Sequence, residues 1–106
     1  MTYSLSYLRE KFFQAVSDLA TGEGDARSRV EVAFHRFWII PIEDFPKSLR
    51  EDREQITTLL TRLGGESGYT IPENLRRMKN STAAEIARLI FGIHFRLADI
   101  RINESA

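Results

Sequence analysis

The chain contains no cysteine. That single absence removes disulfides, thiolate nucleophiles and every thiolate-based metal site. A charge excess of either sign is missing too, because 15 basic residues balance 15 acidic ones. A neutral balance supplies no whole-molecule attraction to nucleic acid or to an anionic membrane, so neither is expected as a partner. Long apolar runs are also absent. The longest, Phe37-Trp38-Ile39-Ile40-Pro41-Ile42, is far short of the ~18 residues that would span a bilayer. Met1-Thr2-Tyr3-Ser4 carries neither the basic head nor the apolar core of a signal peptide, so a cytoplasmic location is expected.

What remains is an ordinary folded composition. With 106 residues, 42% of them hydrophobic and 28% charged, residues 1–106 fit a single domain with one core and no need of covalent staples.

Hydrophobic spacing is helical throughout, and strand-type alternation is nowhere sustained. Leu5, Leu8, Phe12, Val16 and Leu19 make a first stripe. Gly22-Glu23-Gly24 then stops the helix, since glycine accepts the left-handed conformation that ends helices. Asp25 is a good N-cap for a second helix, which carries Val30, Ala33, Phe34, Phe37 and Trp38 on one face and runs to about Ile40, where Pro41 halts it. Phe45 is expected to fold back onto the core, and Pro46 suits the first turn of a third helix. Leu49, Ile56, Leu59, Leu60 and Leu63 form that helix's buried stripe, and Gly64-Gly65 ends it. Arg50-Glu51-Asp52-Arg53-Glu54 mixes signs and reads as its solvated face. Pro72 opens a short helix through Leu75 and Met78, and Thr82 and Glu85 have the capping-box spacing that would start the last helix.

This last helix is the most informative segment. Ile86, Leu89, Ile90, Ile93, Leu97 and Ile100 line one face, and Phe91 and Phe95 form a second apolar patch well round from it. Together they cover roughly 240° of the helix surface, against ~100° for an ordinary amphipathic helix. Such a helix is either central to its domain or waits in part for a partner. The expected fold is therefore all-α, a small bundle of four main helices with one short helix in the long connection before the last.

Recognisable chemistry is scarce. Glu31 and His35 stand one turn apart, but two ligands do not make a metal site, and no metal or cofactor is expected. His94 falls at the edge of the buried stripe and reads as a structural imidazole. Arg29 and His35, with five residues between them in an all-helical chain, resemble the Arg-x4–6-His signature of the HEPN ribonucleases. That resemblance implies an alternative in which the pair acts on an RNA phosphodiester near a dimer interface. It departs from the family's pattern in lying on the second helix, and in having Val30 after the arginine where that family usually carries a polar residue.

Basic residues cluster once, at Arg76, Arg77 and Lys79. They offer a contact for an anion or an acidic protein partner, or simply complement a helix C-terminus. Aromatic residues carry the stronger signal. Phe34, Phe37, Trp38 and Phe45 crowd the junction of the second and third helices, with Phe91 and Phe95 on the last. Surplus aromatic surface is what protein interfaces use for buried anchors. The functional expectation is a non-enzymatic interaction or regulatory module that forms a homo-oligomer, or binds another protein, through these side chains.

Overall fold

Five α-helices and one 3-10 helix, with no strand, make up the computed structural model over the residues it describes, 2–61 and 71–100. In chain order these are α1 (Leu5–Thr21), α2 (Ala26–Phe34), the 3-10 helix Ile42–Asp44, α3 (Lys47–Thr61), α4 (Ile71–Arg77) and α5 (Asn80–Asp99). The all-α bundle with a short helix ahead of the last is the architecture expected from the spacing. Leu63 and Gly64-Gly65, expected to close α3, lie outside the described residues.

Helix α1 starts where Ser4 accepts the amide of Tyr7 on its side-chain oxygen at 3.1 Å. It buries Leu8, Phe12, Ala15 and Leu19. The left-handed glycine expected after it is Gly24, at φ 85°. Gly22 is extended instead, and is required for a different reason. A Cβ there would lie 2.5 Å from the Asp18 carbonyl oxygen, to which the Gly22 amide donates at 2.8 Å. Asp25 caps α2 as its position predicts, accepting the amide of Ser28 at 3.2 Å.

The second helix is shorter than the spacing suggested. It ends at Phe34, and the chain then tightens into turns through Ile40. Arg36, Phe37 and Ile40 donate to the carbonyls of Ala33, Phe34 and Phe37, three residues back. In such tight winding, side chains three apart eclipse one another. Phe34, Phe37 and Ile40 therefore all face the core, while Trp38 is thrown outward and is 55% exposed. Phe37 stacks on Phe12 with ring centres 4.4 Å apart, and Phe45 meets Phe12 edge-on at 5.9 Å. Phe45 thus folds back onto the core as expected.

Arg53 corrects a second expectation. It lies on the face of α3 that also carries Leu49, Ile56 and Leu60, the i, i+4, i+7, i+11 positions of one stripe, and it is only 7% exposed. Its guanidinium carbon sits 5.5, 5.2 and 5.8 Å from the ring centres of Phe34, Phe37 and Phe45. One Nη donates to Thr57 Oγ1 at 2.7 Å, and Nε is buried without a partner. Burial lowers the pKa of this side chain, as removal from water disfavours its charged form. The negative faces of three rings stand in for the missing water and for a carboxylate.

Helix α5 begins at Asn80, two residues ahead of the expected capping box, with Lys79 at the cap position and no side-chain cap. The buried Met78 pins the chain immediately before it, and the early start turns Thr82 and Ala83 onto the buried face. Ile86, Ile90, Ile93 and Leu97 continue that face. The helix packs against α1, α2 and α3 at once, but the second apolar patch that widened it is not enclosed, since Phe95 is 61% exposed. Arginines tie the elements together. Arg9 Nε donates to the Leu97 carbonyl at 2.9 Å, Arg27 reaches the Arg76 carbonyl at 3.2 Å, and Arg50 reaches the carbonyls of Phe45 and Glu43 at 3.0 and 2.9 Å.

Candidate protein-interaction surface

The aromatic side chains singled out by sequence divide into two groups. Phe34, Phe37 and Phe45 are inside the domain, locked round Arg53, and present no surface to a partner. Trp38 and Phe95 face solvent, and Phe91 is half-buried between the core and the outside.

Phe95 stands on the side of α5 turned away from the core and is 61% exposed. Its neighbours extend the apolar surface. Phe91 stacks beside it at 6.2 Å between ring centres, and the His94 ring lies 5.5 Å away. Phe13 of α1 reaches the same place, 6.3 Å from His94, and is itself 63% exposed. The result is an aromatic ridge across the α1–α5 seam. Sequence spacing did not single out Phe13. Its signal was nonetheless present, since an aromatic directly after the stripe residue Phe12 must point off the buried face.

Further exposed apolar side chains lie on α2 and in the tight turns after it. Val32, Trp38 and Ile39 are each more than half exposed. The ion pair between Arg36 and Asp18, at 2.7 and 3.1 Å, holds this region against α1. That pairing raises the pKa of Arg36, because the carboxylate stabilises its charged form through a hydrogen bond and its opposite charge.

The other candidates are arranged differently. Arg29 turns back toward α1 and donates to the Leu19 carbonyl at 3.5 Å, whereas His35 is exposed as the C-cap at the far end of α2. Its ring contributes to no grouping of three His, Asp or Glu side chains; none is found among the described residues. Arg76, Arg77 and Lys79 are all exposed around the end of α4. Beside them a cleft of about 290 Å³ is lined by Asp25, Arg27, Glu31 and Arg76. Its central charges are already paired, as Arg27 donates twice to Asp25, at 2.8 and 3.1 Å. No described helix is long and apolar enough to cross a membrane.

No known protein family, curated protein or solved structure matches the chain.

Proposed function

We propose that the protein is a helical interaction module whose first partner is a second copy of itself, joined through the aromatic ridge on α1 and α5. The observation that carries this reading is Phe95. It is a large aromatic ring held mostly in water on the central helix, flanked by Phe91, His94 and Phe13, while the core is filled without it. Contiguous exposed apolar surface of this kind is uncommon on chains that act alone. Aromatic rings that protrude from a rigid helix make effective anchors, because little conformational freedom is lost when they are buried.

Thermal unfolding at several protein concentrations tests the proposal. Association coupled to folding makes the melting temperature rise with concentration. The wild-type chain is expected to show that rise and a Phe95→Glu variant to lose it, with far-ultraviolet helicity unchanged. A wild-type melting temperature that does not depend on concentration would contradict the proposal.

A further inference from the structure

The outward stripe of α5 consists of Arg88, Gly92, Phe95 and Asp99, spaced by four, three and four residues. At 100° per residue these positions fall within about 60° of one another, over roughly 16 Å of helix. All four are away from the core, with Arg88, Phe95 and Asp99 exposed. Gly92 is the unusual member. It sits inside a 20-residue helix, where glycine costs stability relative to alanine. The fold gives no reason for it. Its φ is not positive, and a Cβ built on it meets nothing within 4 Å. What glycine does there is leave a notch of bare backbone on this face, one turn before Phe95.

From this stripe we infer that two copies pair through α5 in antiparallel fashion about a two-fold axis midway between Ile93 and His94. This rests on the self-association reading above and adds its seam and direction. Under that symmetry Phe95 of one copy enters the notch at the partner's Gly92, and the partner's Phe95 enters the first copy's notch. The same operation sets Arg88 against the partner's Asp99, and Asp99 against the partner's Arg88. Both side chains stand without an ion pair among the described residues. A parallel, in-register pair would instead bring Arg88 onto Arg88 and Asp99 onto Asp99, which like-charge repulsion opposes. Self-complementarity of one patch is what a two-fold dimer requires, and a missing side chain lets two helix backbones approach closely.

Because the chain has no cysteine, single cysteines report this geometry without background. Arg88→Cys and Asp99→Cys are made separately, both at exposed positions, and oxidised alone and as a mixture. The mixture is expected to yield disulfide-linked dimer, with far less from either variant alone. Charge exchange supplies a second readout. Arg88→Asp and Asp99→Arg should each weaken association by about tenfold, and the double variant should recover most of that loss. Cross-linking of Arg88→Cys with itself would overturn the antiparallel seam. So would a wild-type dimer, seen by light scattering, whose mixed cysteine variants do not link. Either result leaves self-association standing, whereas a wild-type monomer would remove the reading beneath it.

Discussion

The guanidinium of Arg53 lies over the ring of Phe37, 5.2 Å from its centre, in the middle of an aromatic group that also includes Phe34 and Phe45. A cation is thus built into the core where an aliphatic residue would be expected. Rings facing a desolvated cation return about 2 kcal/mol, while burying the charge is itself costly.

That balance gives the first prediction. Arg53→Met keeps the volume and drops the charge, and should leave stability unchanged or raise it by up to about 2 kcal/mol. Arg53→Lys keeps the charge but loses the flat face that three rings contact, and should cost about 1–2 kcal/mol. Chemical denaturation of the two variants checks both signs. A lysine variant as stable as wild type would mean that stacking contributes nothing.

Gly92 separates folding from association. In the isolated chain Gly92→Ala should stabilise α5 by about 0.5–1 kcal/mol, since the added methyl meets open space. The melting temperature at low concentration should rise by about 2–8 °C. The same methyl fills the notch and should weaken dimerisation. Sedimentation of the variant at high concentration reads the second effect, and a variant that is both more stable and equally dimeric would show that the notch is unused.

Asp25 predicts a pH dependence. The hydrogen bonds it accepts from Arg27 and from the Ser28 amide hold its carboxyl below its ordinary value, which burial only partly opposes. A carboxyl depressed in the folded state stabilises the fold above its unfolded value of about 4, and loses that contribution as the pH falls through the lower folded value. Asp25→Asn can still cap α2 but cannot titrate or pair with Arg27. Its melting temperature should lie below wild type at neutral pH, and the difference should shrink as the pH falls below about 4. Parallel curves would contradict the assignment.

Much of the fold was legible because helical stripes and stop signals are local. Leu8, Phe12 and Leu19 in α1, the Asp25 cap, and Ile86, Ile90, Ile93 and Leu97 in α5 all lie where their spacing put them. What spacing hid was set by other elements. Nothing around Arg53 in sequence announces three rings contributed by segments before it. The early end of α2 depends on three-residue hydrogen bonds that draw Phe37 and Ile40 inward, and only those bonds reveal that Trp38 faces out. Within the candidate surface, Phe95 was visible as surplus apolarity. Phe13 acquired meaning only once α1 and α5 lay side by side, and Gly92 only once a Cβ there was seen to meet open space.

Whether Phe95 joins two copies of this chain is read from the solution mass, by light scattering during size exclusion. The wild-type protein should reach twice the 12.2 kDa of one chain as concentration rises. Phe95→Glu should remain at 12.2 kDa with its helicity intact. A wild-type mass that stays at that of a single chain across the whole range, or a Phe95→Glu variant that assembles as the wild type does, would contradict it.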